Sequence, residues 1–185
     1  MKKGITFGAF DLFHAGHVLM LEEAKTVCDY LIVCVQTDPS LDREEKNKPV
    51  QSIVEREIQV SACRHVDEVI IYDTEQDLLN IIEKVDWDVR IIGDEYKAKD
   101  FTGRDTTIDK CYFNKRPHNF SSSELRERVS NEHFKKTWYL SCLFSASSGI
   151  LKNGFSIFSW EVVFISLFFY NPNSIKEPKG VVNYS

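Results

Sequence analysis

Hydrophobic positions over the first 130 residues alternate between short unbroken runs and stretches of helical spacing. Ile5–Phe7, Tyr30–Gln36 (YLIVCVQ), Glu68–Tyr72 (EVIIY) and Asp88–Gly93 (DVRIIG) are the unbroken runs. Their length and β-branched content predict strands, and the Tyr30–Gln36 run suits a strand covered on both faces. Between the runs, Val18–Val27 places Val18, Leu19, Leu21 and Ala24 at helical spacing, with Glu22, Glu23 and Lys25 between them. Ser52–Cys63 and Glu75–Lys84 predict two further helices, Cys111–Phe113 a shorter strand and Ser122–Val129 a terminal helix. Thr37–Gln51 is polar, with a run of charges from Asp42 to Lys48.

Strands separated by single helices imply βαβ units with right-handed crossovers. The predicted fold is therefore an α/β open parallel sheet with helices on both faces. Ligands of such sheets sit beyond the carboxyl ends of the strands. The turn after the first strand and Gly93-Asp94-Glu95 after the fourth both fall on that edge.

This pattern ends near residue 133, which predicts a domain over residues 1–133 and a hydrophobic C-terminal extension over residues 134–185. Between Leu140 and Tyr170 only Lys152 and Glu161 are charged. Phe155–Tyr170 is rich in aromatic and β-branched residues, is short for a membrane span and holds Glu161 near its centre. The readings open for it are packing on the domain or a second subunit, a membrane-surface or hairpin anchor, and a segment poorly ordered or foreign to the fold. No internal repeat is evident.

The 185-residue chain is long enough for one well-buried domain with some excess, and its 43% hydrophobic and 28% charged content is that of an ordinary globular protein. A net charge of −5 argues against a general nucleic-acid-binding role, though a few local cations suffice for a nucleotide. Cys28, Cys34, Cys63, Cys111 and Cys142 are odd in number and lack metal spacing, which suits free thiols in a reducing cytosol. Met1-Lys2-Lys3 runs straight into a strand without the apolar core of a signal peptide, so a cytoplasmic location is expected.

Gly8-Ala9-Phe10-Asp11-Leu12-Phe13-His14-Ala15-Gly16-His17 lies between the first strand and the first helix. Such a junction aims backbone N–H groups and the positive end of a helix at a bound phosphate. His14 and His17, three residues apart, can face one way there and donate to oxygens that gain charge in a displacement. Asp11 can orient a histidine, help position a metal or simply form the turn. Asp94 can meet a nucleotide or a metal, or cap a turn. Farther on, Ser121 with Glu124 makes a capping-box pattern at the start of the last predicted helix. Hydroxyls and N–H groups there can hold phosphate oxygens, with Arg116 adding a fixed cation.

GAFDLFHAGH matches the signature of the cytidylyltransferase-like nucleotidyltransferase superfamily, whose fold is Rossmann-like. Met1 to about Val129 resembles the glycerol-3-phosphate cytidylyltransferases within it. The resemblance includes KKGITFGAFDLFHAGH, Asp29-Tyr30-Leu31, Thr37-Asp38, HVDEVI at His65–Ile70 and IIGDEY at Ile91–Tyr96. It also includes Arg116 followed five residues later by Ser121-Ser122-Ser123, with Phe120 where those enzymes carry an aliphatic residue.

The resemblance implies transfer of CMP from CTP to a phosphorylated small alcohol, sn-glycerol 3-phosphate first, giving CDP-glycerol and pyrophosphate. His14, His17, Lys48 and Arg116 would be catalytic. Gly8, Ala9, Phe10, Asp11, Gly16, Asp94, Ser121, Ser122 and Ser123 would bind the nucleotide, and Lys46, Arg56 and Arg64 the acceptor. Mg²⁺ is expected on the triphosphate, with few protein ligands. A homodimer is implied as well.

The chain also departs from the family. Those enzymes carry basic residues early in the helix that Glu75–Lys84 supplies, whereas this one begins Glu75-Gln76-Asp77. Lys97–Arg104 makes a more basic loop than theirs and suits a different phosphorylated acceptor. Two alternatives therefore stand: a cytidylyl- or adenylyltransferase for another phosphorylated alcohol or sugar, and a non-catalytic nucleotide-binding protein anchored by its tail.

Overall fold

The computed structural model describes residues 1–147, with side chains described through residue 139. The aromatic stretch Phe155–Tyr170 lies outside the described residues. The chain divides into two compact units, Met1–Leu125 and Arg126–Ser185. Among the described residues, no helix is long and apolar enough to cross a membrane.

The first unit holds five strands: β1 (Lys3–Gly8), β2 (Tyr30–Gln36), β3 (Glu68–Tyr72), β4 (Val89–Gly93) and β5 (Cys111–Asn114). Between them lie the helices α1 (Ala15–Ala24), α2 (Ile53–Ser61), α3 (Glu75–Lys84) and the single turn α4 (Arg104–Thr107), with short 3₁₀ turns at Asp94–Tyr96 and Ile108–Lys110. A last helix, α5 (Ser122–Ser147), starts in this unit and continues well past Val129, where its apolar pattern had pointed to an end.

All pairings are parallel, in the order β3-β2-β1-β4-β5. The chain winds outward from β1 to β3, then crosses back to place β4 on the other side of β1. That reversal opens the crevice between the carboxyl ends of β1 and β4 in which ligands of such sheets bind.

Strand β2 shows why the sheet is covered twice. Leu31, Val33 and Val35 point to one face, where they pack with Leu21 and Ala24 of α1 and Val60 of α2. Ile32 and Cys34 point to the other, with Leu78 of α3 and the adjoining Ile81, Ile82 and Trp87. Period-2 alternation on a strand that is apolar throughout produces a core on each side.

Helix α1 runs from Ala15 to Ala24 and starts before Val18 because His14, not a hydroxyl or carboxamide residue, caps it. On the α3 face, the buried Arg90 is sandwiched between the Phe7 and Phe101 rings at 5.1 and 5.0 Å. Its guanidinium donates to the Thr102 carbonyl (2.8 Å) and the Thr107 hydroxyl (3.1 Å), so the loop after β4 is pinned to the sheet.

Candidate functional site

The site is built on the N-terminus of α1. His14 has an extended backbone (φ −136°, ψ 173°), and its Nδ1 accepts the Gly16 N–H at 3.1 Å. His17, one turn on, uses its own Nδ1 to accept the His14 N–H at 3.3 Å. This is the reciprocal arrangement of a capping box, made of two imidazoles. The rings stack at 3.9 Å with 22° between their planes, and Phe13 stacks on the other side of His17 at 5.5 Å.

Because each Nδ1 accepts a backbone N–H, the proton of each neutral ring sits on Nε2. Burial pushes His17 down to about 3, with His14 and Arg116 adding to the effect and Asp11 opposing it. Burial also lowers His14, helped by His118 and Arg116. Both rings are neutral near pH 7, each with its proton on Nε2. The first turn of α1 holds no acidic residue to oppose an anion.

The loop leading to this turn is held under strain. Phe10 and Leu12 both have φ of 50°, a left-handed conformation uncommon for bulky side chains. Buried Asp11 anchors the segment between them, its Oδ1 accepting the N–H groups of Val50 and Gln51 at 2.9 Å each. Gln51 returns the contact, its Oε1 accepting the Leu12 N–H at 2.7 Å. Asp11 thus ties the end of the polar loop to the histidine turn and keeps Lys48 within a few residues of it. Lys48 is exposed, and its charge joins the Ser40 hydroxyl in holding Asp38 below the usual carboxylate range.

The second element arrives from β5. Ser121 Oγ accepts the Glu124 N–H at 3.1 Å and caps α5. The Ser122 hydroxyl donates to the Asp11 carbonyl at 2.8 Å, which brings the start of α5 onto the histidine turn. Ser123 is exposed in the first turn of α5. Arg116 pairs with Glu95 at 3.1 Å, and Glu95 folds back over Gly93, where any Cβ would fall 2.2 Å from its carboxylate. Asp94 opens the 3₁₀ turn beside it. Gly8 closes β1 under the Phe10 ring, and Ala9 offers its carbonyl to Arg56.

Three of the acceptor assignments meet different surroundings. Arg56 is 1% exposed and spends its guanidinium on the carbonyls of Ala9, Gln36, Thr37 and Gln51. It is a staple that closes the ends of β1 and β2 over the polar loop, with no face left for an acceptor. Arg64 follows the C-terminus of α2, at the amino-terminal edge of the sheet, where it pairs with Glu22 at 3.6 Å. A parallel sheet puts that edge opposite the histidine turn, so Arg64 does not join the site of its own chain. Lys46 lines a cleft of about 620 Å³ on the α3 side, together with Tyr96, Phe101 and Thr102. Arg104, from the basic loop, is committed to the carbonyls of Tyr96, Lys97 and Lys99.

Sequence reasoning passed over His118 and Glu95. His118 lies against Gly16 beside His14, and the signal for it was a third histidine inside the interval from Arg116 to Ser121.

The family model described as cytidylyltransferase-like matches residues 5–128. Glycerol-3-phosphate cytidylyltransferase of Bacillus subtilis is 35% identical over 133 residues, covering 70% of this chain and 98% of the relative. The bifunctional protein HldE of a Caulobacter species is 38% identical over 109 residues, covering 58% of this chain but only 22% of that longer protein. Among solved structures, a lipopolysaccharide core biosynthesis protein of Thermoplasma volcanium shares the fold, with a TM-score of 0.51 at 24% identity over 65% of this chain and 99% of that one.

Proposed function

The chain belongs to the cytidylyltransferase-like family, and from that premise we propose that it transfers CMP from CTP to sn-glycerol 3-phosphate, releasing pyrophosphate and CDP-glycerol. A phosphate oxygen of the acceptor attacks the α-phosphorus in line. A new P–O bond forms, the bond from the α-phosphorus to the α–β bridging oxygen breaks, and the electron pair leaves with pyrophosphate. The acceptor is already a competent nucleophile, so the protein supplies position and charge stabilisation.

The observation that carries this reading is the pair of neutral imidazoles at the N-terminus of α1. Their Nδ1 atoms are tied to the backbone, which leaves two Nε2–H donors fixed where a phosphate meets the helix dipole. Arg116 and Lys48 add positive charge near the triphosphate, and Ser121–Ser123 open a second helix N-terminus beside it. Magnesium enters as part of the substrate, carried on the triphosphate oxygens.

The identity of the relative that matches over nearly its whole length supports glycerol 3-phosphate as the acceptor. One feature favours a different phosphorylated alcohol or sugar. The α3 start is acidic, with Glu75 paired to Arg43 at 3.0 Å and Asp77 bonded to Thr74. Pyrophosphate release across CTP and ATP, each with a panel of phosphorylated acceptors, tests both readings. The proposal expects the highest kcat/KM with CTP and sn-glycerol 3-phosphate; another pair turning over faster overturns it.

A further inference from the structure

His118 lies in the loop between β5 and α5, and its ring packs on the Phe120 ring at 5.1 Å. A Cβ built on Gly16 would fall 2.9 Å from His118 Cε1 and 3.0 Å from His14 Cε1, so the two imidazoles converge on the second residue of α1. The Phe120 carbonyl closes the same spot at 3.0 Å, which only glycine accommodates.

The two ring nitrogens of His118 differ in surroundings. Nδ1 is buried and makes no hydrogen bond, whereas Nε2 is not among the buried polar atoms that lack a partner. A bare buried acceptor is tolerated more readily than a buried N–H without a partner. A bare Nδ1 therefore favours the tautomer with the proton on Nε2, the one that the backbone imposes on His14 and His17. The environment thus presents a third N–H donor beside the pair on α1.

We propose that His118 is a third imidazole of the transfer site, its Nε2–H placed beside His14 to bind a phosphate oxygen of the nucleotide. The proposal rests on the nucleotidyl-transfer reading and adds a phosphate-binding residue to it. A phosphate oxygen is an acceptor only, so a ring that carries a proton on Nε2 suits it. The tilted Phe120 ring at 5.1 Å and the absence of a side chain on Gly16 give the His118 ring a defined place, so less freedom is lost when the ligand arrives.

The test separates donor chemistry from ring packing. His118→Gln keeps an amide N–H near the Nε2 position, His118→Asn moves one to the Nδ1 position, and His118→Phe keeps the ring without a donor. Each full-length variant is checked for folding by circular dichroism and thermal unfolding. Calorimetry then measures affinity for inorganic tripolyphosphate, and steady-state kinetics measures KM for CTP.

The expected result is an affinity loss of about tenfold for Phe and Asn and under about threefold for Gln, with KM moving more than kcat. A Phe variant that binds like the unaltered protein, or a Gln variant that loses as much as Phe, overturns the proposal. So does the absence of tripolyphosphate binding to the unaltered protein. Binding that depends on His118 without pyrophosphate release from any nucleotide and acceptor supports His118 as a phosphate-binding residue and overturns the transfer reading on which its place in catalysis rests.

Discussion

Three helices start at the carboxyl edge of the sheet with the same reciprocal cap. Helix α2 uses Ser52 and Glu55, α3 uses Thr74 and Asp77, and α1 uses His14 and His17. In each, the capping side chain accepts a first-turn N–H and the third residue's side chain accepts the cap's own N–H. The backbone is satisfied equally well in all three. What differs is what remains after capping. At α2 and α3 the box ends in a carboxylate, which fills the helix dipole with its own negative charge. At α1 it ends in two neutral rings whose outward nitrogens are donors, so the positive end stays available to an external anion. The same local geometry gives two closed ends and, on the proposed reading, one receptor, and the residues of the cap make the difference.

Converting the receptor into a closed end is the most severe way to break the comparison. The double variant His14→Ser with His17→Glu rebuilds the α2 box on α1. Helix capping is kept, and circular dichroism with thermal unfolding checks that the fold tolerates a carboxylate where burial disfavours charge. Turnover should fall by about 10³-fold or more, because two oriented donors go and a carboxylate faces the phosphates. A double variant that turns over within about tenfold of the original would show that the imidazoles act as caps and nothing more.

The next prediction concerns Arg56. Its buried guanidinium satisfies four carbonyls, one in a buried and three in partly buried hydrogen bonds, so Arg56→Met should cost about 3 kcal/mol of stability in urea unfolding. An acceptor-binding arginine would instead raise the acceptor KM while leaving stability nearly unchanged.

Arg56 also shows what the sequence could tell. The strand and helix order, the two-sided sheet and the turn that opens α1 were legible, since period and glycine-bearing turns are local properties. So was the partnership between the histidine turn and the Arg116–Ser123 element, through family resemblance. The direction of an arginine was not. Arg56 and Arg64 lie on or just after one helix, yet nine residues of helix carry the chain from one sheet edge toward the other. One ends among carbonyls and the other on the far side. Gly16 was legible as part of a motif, but its need to admit His118 and the Phe120 carbonyl depends on contacts across a hundred residues.

The two kinds of cap should also part company with pH. The folded state holds His17 at about 3, well below the ordinary histidine value of 6.5, because burial disfavours the charged ring. Between those values the unfolded chain binds the extra proton, so this contribution is fully present above about pH 6.5 and lost as pH falls toward 3. His14 is shifted in the same direction. The carboxylates of Glu55 and Asp77 are lowered by their Ser52 and Thr74 partners, so their contribution fades below the ordinary carboxylate range. Unfolding free energy measured between pH 6.5 and 5 therefore isolates the imidazoles. Its slope should approach about 1.4 kcal/mol per pH unit for each histidine that stays neutral, and His17→Gln should flatten it. An unchanged slope would mean that His17 titrates normally.

Removing a closed cap should have the smallest effect and the most selective one. Ser52 Oγ accepts the Glu55 N–H at 3.3 Å, and the Glu55 carboxylate accepts the Ser52 N–H at 2.7 Å. Ser52→Ala deletes one half of that box on an exposed turn, which costs about 1 kcal/mol of stability. Nothing in the box reaches the phosphates, so kcat and the KM for nucleotide should stay within about twofold. The neighbouring Gln51 complicates this, because it meets both Asp11 and Leu12 in the histidine loop. If Ser52→Ala lowers kcat in proportion to the stability it loses, the α2 cap supports the α1 receptor through Gln51 and Asp11. If stability falls and kcat holds, the caps are independent and only the chemistry of α1 separates it from its neighbours.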